Sequence, residues 1–129
     1  MDQRIEARRA RGKASHRRGH EAEARAEAAL SRDGWTVLAR RMRTPAGEID
    51  LVAERHGLAA VIEVKSRPTV ATAAYAVGKR QPVRLMAAAE IALAENPGWG
   101  PNGVRFDVLL VDQAGSVRRV ADAFRLEAA

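Results

Sequence analysis

The chain has 129 residues, enough for one domain with a modest core, and 47% of them are hydrophobic although only five are Trp, Tyr or Phe. Cysteine is absent, which excludes disulfides and thiolate metal sites, and His16, His20 and His56 have no zinc-like spacing. No apolar run approaches the roughly 20 residues of a membrane span and the amino terminus lacks a secretory apolar stretch, so a cytoplasmic protein is expected.

The net charge of +6 is unevenly placed. Residues 1–18 carry seven cations (Arg4, Arg8, Arg9, Arg11, Lys13, Arg17 and Arg18) against Asp2 and Glu6, a net +5. This basic arm is expected to be flexible and separate from a single domain over residues 19–129. It suits a polyanion such as nucleic acid, or an acidic protein, and equally a solvated tail.

From Gly19 to Arg32 an alanine-rich segment predicts a helix whose apolar stripe is Ala22, Ala26, Ala29 and Leu30, with Gly34 at its stop. Trp35 to Ala39 suits a first strand, and Arg40 to Ala46 a basic loop whose Arg40, Arg41 and Arg43 could border a nucleic-acid groove. Gly47–Val52 and Val61–Lys65 then alternate apolar Ile49, Leu51, Ile62 and Val64 with charged Glu48, Asp50, Glu63 and Lys65, the mark of two strands with their charges on one side. Residues 66–76 read as an irregular crossing, and a second helix runs from Lys79 or Pro82 to Glu95. After a Gly-Pro loop holding Trp99, Val104–Val111 and Val117–Ala121 complete the order α-β-β-β-α-β-β.

His56-Gly57 is suited to a two-residue hairpin turn. A symmetric hairpin about it sets Asp50 opposite Glu63 and Glu48 opposite Lys65, with paired Cβ atoms about 4.5–5.5 Å apart. Two carboxylates so close repel unless one is protonated, solvent screens them, or a cation neutralises them. A hard divalent ion with oxygen ligands is the most economical solution, with Lys65 placed to act on a water beside it. The competing reading pairs Glu48 with Lys65 as an ordinary cross-strand ion pair. Asp107, inside a strand, reads as structural, and Tyr75 and Trp99 are candidates for base stacking or packing.

Taken together, Gly19, Glu23, Ala26, Gly34, the Gly47-Glu48-Ile49-Asp50-Leu51 run, Val61–Lys65, Arg67, Arg105-Phe106-Asp107-Val108 and Asp122-Ala123-Phe124 give the chain a specific likeness. It resembles the YraN-like family of bacterial proteins, predicted endonucleases of the restriction-endonuclease-like, or PD-(D/E)XK, superfamily that also includes archaeal Holliday junction resolvases. The resemblance covers about residues 19–126. It implies an α/β fold, a mixed β-sheet flanked by helices, and hydrolysis of phosphodiester bonds in DNA, with structured or branched DNA as a candidate substrate. Asp50 and Glu63 would hold Mg²⁺ or Mn²⁺, Lys65 would be the catalytic lysine, and Glu23 on the first helix would be a further metal ligand, direct or through water. Glu27, a turn away, suits the same face. Arg41, Arg43, Arg67 and Lys79 are the nucleic-acid-binding candidates. Related resolvases work as paired subunits, so a homodimer is compatible with the likeness. Arg41 stands where the family carries asparagine, and Gln81 where it carries a lysine at the start of the second helix. The alternative is a noncatalytic nucleic-acid-binding module on the same fold.

Overall fold

The computed structural model describes residues 20–66 and 82–124. The basic arm, Arg67, Tyr75, Lys79, Gln81 and the crossing beyond Ser66 lie outside the described residues. Helix α1 covers residues 20–32, followed by strands β1 (Thr36–Thr44), β2 (Gly47–Arg55) and β3 (Leu58–Ser66), helix α2 (Pro82–Glu95), and strands β4 (Gly103–Val111) and β5 (Val117–Phe124). The order is the expected α-β-β-β-α-β-β. The sheet runs β1-β2-β3-β4-β5, antiparallel throughout except for the β3–β4 pair, which is parallel and lies on either side of α2 in sequence. No helix of the described residues is long and apolar enough to cross a membrane.

Ala22, Ala26 and Leu30 of α1 are buried, as the stripe predicts, while Ala29 is only half-buried. The helix ends where glycine allows it to. Gly34 adopts φ +86°, its N–H reaches the Ser31 carbonyl and the Trp35 N–H reaches that of Leu30, a paired closure that satisfies two orphan carbonyls. One side of the sheet, with Leu51, Ala53, Ala60, Ile62, Leu109 and Val111, packs on α1 and Trp35. The other, with Val52 and Val61, packs on Leu85, Ala88, Ala89 and Ala92 of α2, and Trp99 joins this second cluster. The central strands are covered on both sides, which is why Ala59–Ile62 reads as an unbroken apolar run.

His56 (φ 52°) and Gly57 (φ 77°) both lie in the left-handed region, so the β2–β3 turn is the two-residue type whose twist matches the strands. The pairs Arg55–Leu58 through Leu51–Ile62 follow in the expected register. The turn is docked rather than free: Asn102 donates its side-chain amide to the His56 carbonyl (2.8 Å) and its backbone N–H to that of Gly57 (2.9 Å).

Two expectations need correcting. Arg40, Arg41 and Arg43 lie not in a loop but on β1, which pairs with β2 as far as Thr44–Gly47. Only Pro45 and Ala46 form the turn. It is closed by the Thr44 hydroxyl, which donates to the Gly47 carbonyl and accepts from the Ala46 and Gly47 N–H groups. Strand β5 runs past Ala121 to Phe124 because a bulge lets it continue: Phe106 pairs with Phe124 but Val108 with Val120. Asp107 faces that bulge and is fully buried. It accepts two bonds from the Arg105 guanidinium (2.9 and 3.0 Å) and one from the N–H of Asp122, itself at φ 55°. The structural reading of Asp107 holds. Arginines also serve packing elsewhere, since Arg55, Arg105 and Arg119 stack within 4.8, 5.4 and 5.6 Å of the buried Trp35 ring.

Replacing Asp107 with Ala is expected to cost about 2–4 kcal/mol, because it leaves a half-buried guanidinium and a backbone N–H without their acceptor. Urea unfolding of the purified variant measures this.

Candidate functional site

The β2–β3 ladder stops at Leu51–Ile62, one pair short of Asp50 and Glu63. There the Asp50 carboxylate accepts the backbone N–H of Val64 at 2.8 Å, so a side chain takes the place of a backbone acceptor and the strands part. The side-chain alternation breaks at the same point. Ile49 packs with the α2 layer and Leu51 with the α1 layer, although residues two apart on a regular strand share a face. The expected ladder pairs Asp50–Glu63 and Glu48–Lys65 therefore do not form as such. The four charged side chains nevertheless meet in an open cleft of about 480 Å³ lined by Gly47, Glu48, Asp50, Glu63, Lys65, Arg84 and Leu85.

Lys65 Nζ lies 3.0 Å from Glu63 Oε1, two residues back along the same strand, and both side chains are largely shielded from solvent. The competing Glu48–Lys65 pairing is thus replaced by a Glu63–Lys65 pair, and Glu48 lies 3.9 Å from Arg43 on β1. Burial pushes the Asp50 carboxyl above the ordinary carboxylate range. The Val64 N–H pulls it back, the Glu23 and Glu48 charges raise it further, and Lys65 lowers it. A carboxylate in this setting gains from a nearby cation.

Glu23 lies beside this cleft rather than in its lining. Arg41 Nε holds it at 2.7 Å in a second hollow lined by His20, Glu23, Ala24, Glu27, Arg40, Arg41 and Leu51. Arg41, at φ 46°, also meets the His20 imidazole. Glu27 pairs with Arg40, whose guanidinium holds the Glu27 carboxyl below the usual carboxylate range. Of the two helix acids it is Glu23 whose charge reaches Asp50. Among the described residues no three His, Asp or Glu side chains converge into one metal-holding group. The donors present, Asp50 and Glu63, are hard oxygens, and two carboxylates completed by water and phosphate oxygens are a usual environment for Mg²⁺. The donor set fits such an ion.

Of the nucleic-acid-binding candidates, Arg43 is exposed at the rim and Arg41 is engaged with Glu23. Arg84 is the cleft residue that the sequence reading missed. Its one available signal was position: it stands two residues after Pro82, in the first turn of α2.

The raised Asp50 carboxyl fixes the sign of a stability effect. A folded-state pKa above the unfolded one means that stability is lost as pH rises through it, since the folded protein then carries an unfavourable buried charge. Asp50→Asn should therefore melt a few degrees higher than the parent at pH 7–8, and the difference should vanish near pH 3, where both forms are neutral. Thermal melts across pH check this.

Residues 22–111 match the model of the uncharacterised protein family UPF0102. A UPF0102 protein of Granulibacter bethesdensis is 60% identical over 90% of this chain and 73% of its own length. Another from Azorhizobium caulinodans is 45% identical over 92% of this chain and 91% of its own, and one from Rhodopseudomonas palustris is 46% identical over 86% and 85%. The chain belongs to the UPF0102 family, the YraN-like proteins that its motifs resemble.

Proposed function

We propose that this protein is a metal-dependent nuclease that hydrolyses phosphodiester bonds in DNA, on a restriction-endonuclease-like core. The observation that carries this reading is the cleft at the parting of β2 and β3, where Asp50, Glu63 and Lys65 come together. Asp50 and Glu63 would hold Mg²⁺ or Mn²⁺, with Glu23 contributing through water from the adjoining hollow. Such an ion, when bound, supplies Lewis acidity toward a phosphate oxygen and makes water a better nucleophile at neutral pH. Asp50 must lose its proton to serve as a ligand, so ion affinity should fall as pH drops through its raised pKa. Lys65 would orient the attacking water or stabilise charge building on the phosphate, and its pairing with Glu63 keeps the ammonium beside the acids. Cutting both strands of a branched substrate would call for two copies of the chain.

A noncatalytic nucleic-acid-binding module is the second reading. It draws on the placement of Glu23, which Arg41 holds outside the lining of the cleft.

The purified chain assayed on linear, nicked, flapped and four-way DNA, with and without Mg²⁺ or Mn²⁺, separates the two. Metal-dependent cleavage is expected, lost in Asp50→Ala together with Mn²⁺ binding. In Lys65→Ala the rate should fall roughly 10²–10³-fold while DNA binding persists. Binding to DNA with no cleavage under any metal condition would establish the second reading.

A further inference from the structure

Arg84 has no hydrogen bond or ion pair among the described residues, yet it lines a cleft containing Glu48, Asp50 and Glu63. Lys65, the other cation there, is committed to Glu63. Arg84 extends from the first turn of α2, a helix anchored by buried Leu85 and Met86, and its guanidinium lies against Gly47 at the start of β2. A Cβ at Gly47 would come within 2.8 Å of Arg84 Nε, so the glycine leaves the space in which this side chain rests. The first turn of α2 contains no acidic residue to neutralise it.

A guanidinium with no partner among the described residues, held at the wall of a carboxylate cleft, has five donors and a planar fork that matches two oxygens of one phosphate. The carboxylates repel a polyanion, and a cation bound between them attracts only the phosphate it touches. A second positive group in the lining, contributed by α2, allows a neighbouring phosphate to enter the same cleft. We infer that Arg84 binds a backbone phosphate adjacent to the one presented to Asp50, Glu63 and Lys65, and so sets the register of the nucleic acid across the cleft. This rests on the nuclease reading above and deepens it. The role is one of binding and positioning, and sequence preference does not enter, because a phosphate contact reads no base.

The test compares Arg84→Ala, Arg84→Lys and, as a control for general positive charge, Arg118→Ala, an exposed arginine on β5. Full-length proteins are titrated against fluorescent four-way and linear DNA over a range of salt concentrations, and separately against Mn²⁺ alone. Arg84→Ala should weaken DNA binding about tenfold and reduce the salt slope by about one, more than Arg118→Ala does, while Mn²⁺ binding is retained. Arg84→Lys should restore the slope but only part of the affinity, since the charge returns without the fork. An Arg84→Ala protein that binds DNA no worse than Arg118→Ala overturns the assignment and leaves the nuclease reading standing. Loss of Mn²⁺ binding in Arg84→Ala would instead make the residue an organiser of the carboxylates, which also overturns it. If the parent protein binds no DNA at all, the nuclease reading and the assignment fall together.

Discussion

Asp50 sits where two strands could have gone on pairing and instead accepts a backbone N–H from the neighbouring strand with its own side chain. That one bond fixes the carboxylate at the fork of the hairpin, opens the space between β2 and β3, and turns the charged side chains on both into the walls of one cleft. An ordinary ladder would have left a row of surface charges facing solvent. The parting also exposes the end of the sheet to α2, whose first turn brings Leu85 and Arg84 to the same cleft. Without the fork there would be no concave site for a ligand to enter.

The arrangement has an energetic cost that the rest of the fold offsets. Desolvation and two neighbouring carboxylates all act against the charged form of Asp50, with one N–H and one ammonium in its favour. Groups kept in an unfavourable state by a rigid surround are characteristic of functional sites, where the missing stabilisation is supplied by what binds. The surround here is rigid for identifiable reasons. The docked turn at His56-Gly57 sets the register from one end, and the Arg41–Glu23 and Arg40–Glu27 pairs tie β1 to α1 on the other side.

Features set by neighbours in the chain were legible in the sequence. Period-two alternation, the glycine after His56 and the glycine after α1 are local signals, and the turn, the register up to Leu51–Ile62 and the helix stop all follow from them. The fork was not legible, because it depends on a side chain substituting for a backbone acceptor. The extent of β1 was hidden for a related reason. Arg40, Arg41 and Arg43 look like loop residues until α1 provides Glu27 and Glu23 as partners, 13 and 18 positions away respectively. Arg84 reaches the cleft only through the docking of α2 against β2, which no local pattern encodes. Grouping Asp50, Glu63 and Lys65 in one place survived, since hairpin geometry alone keeps them near. Glu23 was expected to reach the ion directly or through water, and Arg41 holds it beside the cleft in an adjoining hollow, a pairing across 18 positions that no local pattern encodes.

The parallel pairing of β3 with β4 has a consequence for how the molecule is made. Every residue pair between them is 45 positions apart, from Leu58 with Gly103 to Ser66 with Val111, whereas the β2–β3 hairpin closes over at most 11. During synthesis at about 5–20 residues per second, the hairpin exists for roughly 2–9 s before its partner strand is made. Through that interval the apolar edge of Ala59-Ala60-Val61-Ile62 stands open to any other nascent strand. An open apolar edge is a template for pairing with another chain, so the interval before β4 is made is one in which intermolecular pairing competes with folding.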